Sequence, residues 1–407
     1  MLLPIGDEPN PRGIPWVNYA LLTINVGVFV VVTLPLMLRP ADPNDPLTQA
    51  VLRALIEANP QADAREIVYN YLRGRSAYDM FLLRWGYVPG DPSVVTLLTS
   101  MFLHGGWLHL VGNMLFLWIF GDNVEHGLGR AGYLSAYLVT GAVAALGYGL
   151  LVPPTQSHVP MVGASGAISG VLGFYFIWFP RNRVRLLLFP LFFLVWKVQA
   201  RLVLGFYIIV DNLLPFLFRT EGEGGVAYGA HIGGFAAGVA GALLLNRWQR
   251  YRCLRSAVGC GDPEPTVAPP RRPPLGAGAE EVVRHIDAAR PAEAIRAYLA
   301  LSALDRRRVP VEVVSALADW LGASGQPDAA LAIYRQGLDD HPSGPGLDRL
   351  LLGVGLLLLH GKGRPTAAYQ YLLDVLDASP APEVAREARE ALALIDRMQK
   401  LQVRRRS

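Results

Sequence analysis

The stretch Gly-Ala-Ser-Gly at residues 163–166 opens an apolar run that is long enough to enter a membrane. Two further apolar runs carry polar side chains, His231 in one and both His109 and Asn113 in the other. Polar groups inside a bilayer are costly and are usually kept for function. We therefore expect these residues to meet in one site within a bundle of membrane-spanning helices.

The composition indicates a membrane protein with a soluble part. The chain has 407 residues, of which 52% are hydrophobic and 17% are charged, whereas a typical soluble chain carries about 25% charge. The net charge of +4 comes from arginines outside the apolar runs, which favours an anionic membrane surface over nucleic acid as the partner. Cys253 and Cys260 fit no usual zinc pattern, so no metal is expected. The acids between residues 96 and 218 are Asp122, Glu125 and Asp211.

Six apolar segments predict an all-α fold, a polytopic membrane bundle of six transmembrane helices joined to a soluble α-helical repeat domain. The first segment is too long for the apolar region of a cleaved signal peptide. Glycine is frequent in the third, fourth and sixth segments, which suits close helix packing in lipid. The run 186–196 is interrupted by Pro190 and either lies at the interface or begins span five. The predicted spans are 16–38, 103–121, 131–152, 163–179, 198–218 and 225–246.

Arginine placement predicts the orientation. Clusters of arginine follow spans four and six, and basic residues favour the cytoplasmic side. Both termini are therefore expected in the cytoplasm, in a multi-pass protein of the cell membrane. The loop 39–95 argues weakly against this because it holds six arginines. Seven acids balance them, and amphipathic stretches in the loop suit the outer interface.

The predicted organisation places the membrane-spanning part before a helical part. Three six-residue segments beginning at Arg290, Gln326 and Arg364 recur at offsets of 36 and 38 residues, and each precedes an amphipathic helix. This region resembles tetratricopeptide repeats of about 34 residues, which often bind a peptide in a groove; a plain helical bundle is the alternative. The parts are a cytoplasmic segment 1–15, a membrane domain 16–250 with the long first loop 39–95, a Pro/Gly/Arg-rich linker 251–278, the helical domain 279–400 and a basic tail 401–407.

The candidate site residues are expected at one depth. Span two runs inward from the outer side, and His109 and Asn113 share one helix face because they are four residues apart. Span four also begins outside, with Ser165 in its first turn. His231 lies about six residues into span six, or roughly 9 Å at 1.5 Å per residue. Nothing in the sequence spacing requires this agreement.

The residue types suit acyl transfer. A serine hydroxyl is a weak nucleophile and needs an adjacent base, which His231 can supply; no intramembrane carboxylate is well placed to orient it, so we expect a Ser–His pair. The free N–H groups at the start of a helix favour an anion, and His109 and Asn113 can add donors for an oxyanion. Gly163 and Gly166 would allow a tight backbone and leave room for a substrate chain.

Each of these residues also has an ordinary structural explanation when it is taken alone. A small-residue stretch around Ser165 is more often helix packing, Asn113 can form an interhelical hydrogen bond, and His231 can be packed between glycines. His104 and His126 are expected to be structural or interfacial. Asp211 is expected to face water or to be paired.

Taken jointly, these motifs resemble the rhomboid intramembrane serine proteases. The resemblance implies a six-helix core, Ser165 as the nucleophile, His231 as the base, and oxyanion support from His109, Asn113 and the Ser165 backbone. It also implies a structural His104, a cap over the site at 219–224 and a lateral gate at span five. It covers about 95–248 and rests on 101–113 (Met-Phe-Leu-His-Gly-Gly-Trp-Leu-His-Leu-Val-Gly-Asn), 121–125 (Gly-Asp-Asn-Val-Glu), 163–166 and 230–234 (Ala-His-Ile-Gly-Gly).

Two positions depart from the family pattern. Ser169 stands one helical turn after Ser165, where the family usually has an aromatic ring packed on the base. Asp211 stands where the family more often has a neutral residue. Another ring is therefore expected to substitute near His231, or that side chain is held less firmly.

The resulting hypothesis is an intramembrane serine endopeptidase that cuts single-span membrane proteins near the outer end of their span, with no cofactor. The alternative is a non-catalytic relative that binds transmembrane helices in membrane protein quality control, with the C-terminal region recruiting partners. A small transporter would require charged residues along a pathway and an inverted repeat, and the sequence has neither.

Overall fold

The computed structural model describes residues 2–11, 13–188, 194–218, 226–258 and 277–406. The chain forms two compact units. The first comprises Met1–Asp7, Arg12–Trp178 and Arg183–Ala242, and the second comprises Glu8–Pro11, Phe179–Asn182 and Leu243–Ser407.

The first unit is built mainly from helices. Two of them, α1 and α9, contain a π-helical turn, at Phe29–Thr33 and Ile209–Leu213 respectively. The last helix of the unit, α10, continues into the second unit. In chain order the helices are α1 Trp16–Met37, α2 Pro46–Ala58, α3 Ala64–Leu72, α4 Ala77–Trp85, α5 Val94–Phe102, α6 Trp107–Leu128, α7 Arg130–Leu151, α8 Ser165–Trp178, α9 Ala200–Phe218 and α10 Tyr228–Val258.

The protein is a multi-pass membrane protein. Among the described residues, α1, α7, α9 and α10 are the four helices long and apolar enough to cross a bilayer, and α5 with α6, bent by 91°, would make a fifth span. Helix α8 has 14 residues, or roughly 21 Å at 1.5 Å per residue, which is shorter than a hydrocarbon core of about 30 Å. The predicted number of six spans therefore stays a prediction.

The first unit is mainly helical, as predicted, but it also contains a three-stranded sheet that the all-α prediction did not include. The strands are β1 Leu2–Glu8, β2 Arg183–Leu188 and β3 Val195–Gln199, in the order β1-β2-β3, with β2 and β3 antiparallel. The run 186–196 was predicted as interfacial or as the start of span five; its residues 186–188 belong to β2 and 195–196 to β3, before α9 begins, while 189–193 lie outside the described residues. Exposed Arg183 and Arg185 alternate with buried Val184 and Leu186, and this period of two is typical of a half-buried strand.

The long first loop is folded and reaches the residues before α6. The side chains of Asp45, Asp63 and Ser76 cap α2, α3 and α4, as expected for N-cap residues. Tyr78 of α4 is 2% exposed, and its hydroxyl donates to the carbonyl oxygen of His104 at 3.0 Å. Burial raises the pKa of the Tyr78 phenol, so it remains a neutral donor at physiological pH.

A buried carboxylate fixes the start of α1. Glu125 of α6 accepts the backbone N–H groups of Val17 at 3.1 Å and Asn18 at 2.7 Å. The Asn18 side chain donates to the carbonyl of Leu117 and accepts the hydroxyl of Tyr133. A buried charge is tolerated when it is hydrogen-bonded, and here it satisfies N–H groups that a helix start leaves free.

Helices α8 and α10 approach so closely that their backbones touch. A Cβ built on Gly234 would lie 2.1 Å from the carbonyl oxygen of Gly166, and one on Gly238 would lie 2.0 Å from that of Gly170. Gly166 and Gly170 are four residues apart on α8, and Gly234 and Gly238 are four residues apart on α10. This is the spacing typical of small-residue helix packing in membranes. This contact brings the N-terminal ends of α8 and α10 together.

The second unit is helical around one apolar core. Each of the three predicted repeat segments starts a helix with the same local geometry. Proline occupies the first helical position at Pro291, Pro327 and Pro365, and the residues just before these prolines have similar φ and ψ angles. The tetratricopeptide resemblance itself stays a prediction. The helices are α11 Ala277–Asp287, α12 Pro291–Ala300, α13 Ala303–Arg306, α14 Val311–Ala323, α15 Pro327–Asp340, α16 Leu347–Leu356 with a π-helical turn Leu357–Gly361, α17 Pro365–Asp377 and α18 Pro382–Arg406.

The boundaries of the second unit differ from the prediction. Helix α10 extends to Val258, into the segment 251–278 predicted as a linker, and α18 extends to Arg406 through the predicted basic tail. Within this unit, Arg181 forms ion pairs with Asp374 at 2.9 Å and Asp377 at 2.8 Å. The core of the predicted linker, 259–276, and the predicted cap, 219–224, lie outside the described residues.

Candidate active site

Ser165 and His231 lie at hydrogen-bond distance. Ser165 begins α8, and its Oγ is 2.8 Å from Nε2 of His231 in the first turn of α10. The two residues adjoin the glycine contact between these helices, which explains why side chains 66 positions apart in the chain come together. The predicted pair is therefore geometrically able to exchange a proton.

The second nitrogen of His231 is bound by a residue that the sequence did not single out. Nδ1 of His231 is 2.6 Å from Oδ1 of Asn212, and Nδ2 of Asn212 donates to the carbonyl of Tyr207 at 2.8 Å. The Tyr207 carbonyl can only accept a hydrogen bond, so the Asn212 amide must turn its Nδ2 toward Tyr207 and its Oδ1 toward His231. Oδ1 has no hydrogen and therefore accepts the bond from the imidazole. Nδ1 therefore carries the proton, and Nε2 accepts the hydroxyl hydrogen of Ser165.

A tyrosine of α9 lies beside the imidazole. The rings of Tyr207 and His231 have centroids 6.4 Å apart and are tilted by 34°. The hydroxyl of Ser169 donates to the carbonyl of Ser165 and lies 2.8 Å from the Tyr207 hydroxyl. The ring next to His231 thus comes from α9, while the serine at position 169 binds that ring's hydroxyl.

His109 and Asn113 present donors from α6. Asn113 is 8% exposed, and within the described part of the chain its Nδ2 has no hydrogen-bond partner. Nδ1 of His109 accepts the N–H of Gly105 at 3.4 Å, which leaves Nε2 to carry the ring proton. A buried donor without a partner is costly, and Nδ2 of Asn113 and Nε2 of His109 can each donate a hydrogen bond to an acceptor.

Gly163 separates His109 from Ser165. A Cβ at this position would lie 2.7 Å from Nε2 of His109 and 3.6 Å from Oγ of Ser165. The φ angle of Gly163 is +125°, a conformation that side chains other than glycine rarely adopt. The glycine therefore keeps open the space in which a reacting carbonyl oxygen could lie. Gly166, expected to leave room for substrate, instead packs against Ala144.

The four residues predicted to take part in the reaction line one cavity of about 810 Å³; they are Ser165, His231, His109 and Asn113. Tyr207 of α9 also lines it, as do the apolar side chains of Leu108, Phe116 and Ile168. The volume is sufficient for substrate side chains and water. The arrangement combines a hydroxyl, a base and side-chain donors around one cavity, and these are the groups that acyl transfer requires.

Three other polar residues, His104, His126 and Asp211, are not among those lining the cavity. The ring of His104 is buried and faces the ring of His109 edge-on at 5.2 Å. Nδ1 of His126 lies 2.8 Å from the carbonyl of Asp122. The side chain of Asp211 is exposed on α9, whereas its neighbour Asn212 is 1% exposed and faces the site.

Comparison with known proteins supports the fold assignment. Residues 91–248 match the Rhomboid domain family. The chain is 31% identical over 171 residues to Rhomboid protein 1, mitochondrial, of Saccharomyces cerevisiae, covering 40% of this chain and 46% of that protein. It is 31% identical over 173 residues to Rhomboid-like protein 11, chloroplastic, of Arabidopsis thaliana, covering 39% and 54%. It is 31% identical over 161 residues to RHOMBOID-like protein 5 of Arabidopsis thaliana, covering 38% and 45%.

The chain spans about half the length of these curated relatives. The domain match and the relatives support the rhomboid family for the segment that contains the site. The match includes Ser165, His231 and the α6 donors, and it ends at residue 248, within α10 and before α11.

Proposed function

We propose that this protein is an intramembrane serine endopeptidase in which Ser165 is the nucleophile and His231 is the general base. The observation that carries the proposal is the 2.8 Å distance between Ser165 Oγ and His231 Nε2 at the wall of the 810 Å³ cavity. The α6 donors beside this pair support acyl transfer as the reaction class.

In the proposed reaction, Ser165 Oγ attacks the carbonyl carbon of the scissile peptide and its proton passes to Nε2 of His231. The negative charge moves to the former carbonyl oxygen, which accepts bonds from Nδ2 of Asn113, Nε2 of His109 and the backbone at the start of α8. His231 then gives its proton to the leaving nitrogen, and the C–N bond breaks. Water hydrolyses the acyl-enzyme with His231 again as the base.

The substrate we propose is a membrane protein with a single span. A helix satisfies its own backbone in lipid, so the scissile segment must unwind locally before its carbonyl reaches Ser165. Small or helix-breaking residues near that depth favour unwinding. We propose that the substrate enters past α9 and is cut near the outer end of its span. We also propose that the protein lies in the cell membrane with both termini in the cytoplasm, and that the second unit binds a peptide or protein partner.

The test is cleavage of a single-span reporter by the full chain in liposomes. Wild type is expected to release the reporter ectodomain, and Ser165→Ala is expected to release none while inserting normally. Ser324→Ala is the matched control. This serine is exposed, it does not line the cavity, and its hydroxyl donates to the Trp320 carbonyl. Equal release by wild type and Ser165→Ala would overturn the proposal and favour a protein that only binds transmembrane helices.

A further inference from the structure

We infer that Asn212, supported by Tyr207, is a positioning residue that holds His231 in the tautomer and orientation needed to activate Ser165. The site then consists of three hydrogen-bonded residues from three helices: Ser165 of α8, His231 of α10 and Asn212 of α9. This inference rests on the proposed function, and it assigns to α9 a part of the catalytic arrangement that a serine–histidine pair leaves out.

The first argument is the hydrogen-bond geometry at Asn212. Its amide oxygen accepts from Nδ1 of His231 at 2.6 Å, and its amide nitrogen donates to the Tyr207 carbonyl at 2.8 Å. The second bond fixes which end of the amide faces the imidazole. An imidazole whose Nδ1 is held as a donor presents a bare Nε2, which is the atom that must take the proton of Ser165.

The second argument is the backbone of α9. The π-helical turn Ile209–Leu213 contains Asn212, and the bond from its side chain reaches back five residues to Tyr207. Single π-helical turns are rare and frequently occur at functional sites. Here the turn directs Asn212 inward, 1% exposed, and leaves the charged Asp211 on the outer face.

The third argument is that Tyr207 connects the same turn to α8. Its hydroxyl is 2.8 Å from Ser169 Oγ, its ring lies beside His231, and its carbonyl receives Asn212. A single residue of α9 thus contacts the helix of the nucleophile, the base and the positioning amide. Because 11% of the residues in the most apolar 18-residue stretch of α9 are buried, the alignment of His231 depends on a lightly packed helix staying in place.

The test compares three variants of the full chain in liposomes. Asn212→Leu keeps the side-chain size but removes the acceptor. It is expected to lower kcat about 10- to 100-fold with little change in KM, by analogy with residues that orient metal-bound histidines. Asn212→Asp keeps an oxygen acceptor and is expected to recover most of the activity. Asp211→Asn is the matched control on the exposed face and is expected to behave as wild type.

A spectroscopic readout separates positioning from folding. In protein labelled with ¹⁵N-histidine, the His231 signals, identified by their loss in His231→Gln, should report a protonated Nδ1 and a bare Nε2 in wild type and in Asn212→Asp. Asn212→Leu should lose this tautomer preference. Either a wild-type kcat or an unchanged His231 tautomer in Asn212→Leu would overturn the inference.

The two proposals fail separately. If Ser165→Ala is inactive while Asn212→Leu cleaves at the wild-type rate, the protease assignment stands and the positioning role is wrong. If wild type shows no Ser165-dependent cleavage, the protease assignment is wrong, and the tautomer in Asn212→Leu still decides whether this residue orients His231.

Discussion

Replacing Gly234 with alanine should separate the two helices that carry the nucleophile and the base. The new Cβ would lie 2.1 Å from the carbonyl oxygen of Gly166 and 3.1 Å from its carbonyl carbon. Carbon atoms in good contact are about 3.5–4.0 Å apart, and a helix backbone cannot rotate away as a side chain can. To bring the new Cβ to an ordinary van der Waals distance from the Gly166 carbonyl group, helices α8 and α10 must move apart by roughly 1 Å.

The displacement falls directly on the catalytic pair. Gly166 follows Ser165, and Gly234 lies on the turn after His231, so their 2.8 Å hydrogen bond lengthens beyond a useful distance. Overpacking of this kind costs about 1–3 kcal/mol of stability. A misplacement of about 1 Å lowers activity about 100-fold, so activity should fall well before the fold is lost.

The assay measures reporter cleavage and the thermal unfolding midpoint on the same liposome or detergent preparation. Gly27→Ala on α1 is the matched control, because a Cβ there meets nothing within 4 Å, and it should leave both quantities unchanged. Wild-type cleavage and an unchanged midpoint for Gly234→Ala would show that the tight contact between α8 and α10 does not hold the site together.

Three further substitutions have distinct expected effects. Asn113→Ala should lower kcat about 10²–10³-fold through loss of an oxyanion donor with an unchanged unfolding midpoint; single-turnover kinetics measure it, and wild-type turnover would contradict the role. Gly163→Ala forces a side chain into a sparsely populated backbone conformation at a cost of about 1–3 kcal/mol and places a methyl group 2.7 Å from Nε2 of His109. It should lower cleavage more than stability, as paired kinetic and unfolding measurements can show. Glu125→Ala should destabilise the first unit by about 1–3 kcal/mol, because it leaves buried N–H groups unpaired; denaturant titration measures this, and an unchanged midpoint would contradict it.

Part of the site could be approached from the sequence because polar residues stand out in apolar segments. Ser165, His231 and Asn113 were selected on that ground, and the structure places them around one cavity, while their catalytic roles remain a proposal. The glycine content of the fourth and sixth segments predicted close packing, and the contacts of Gly234 and Gly238 agree with it.

Asn212 could not be predicted because a regular helical period does not apply at a π-helical turn. With 3.6 residues per turn, Asp211 and Asn212 point in directions about 100° apart, and the inserted residue shifts which of them faces inward. The sequence predicted either another ring near His231 or a less firmly held imidazole, but it did not identify Tyr207 as that ring. Ser169 and Tyr207 are 38 positions apart and come together only in the folded bundle.

The sheet was missed for a different reason. The segment after α8 is rich in leucine and phenylalanine, so an average over many residues favoured a membrane interface. The alternation of Arg183 and Arg185 with Val184 and Leu186 is short, yet it was the correct signal for a strand. The linker boundary was displaced because the arginine-rich segment after 246 continues α10 as a helix to Val258.

The central claim is that Ser165 is a nucleophile activated by His231, and covalent labelling tests it most directly. The full chain in liposomes is treated with a fluorophosphonate probe, and the modified residue is identified by mass spectrometry in wild type and in His231→Ala. The account predicts an adduct on Ser165 that forms rapidly in wild type and is lost in the variant. No adduct on Ser165, or an adduct that forms equally fast without the imidazole, would contradict it.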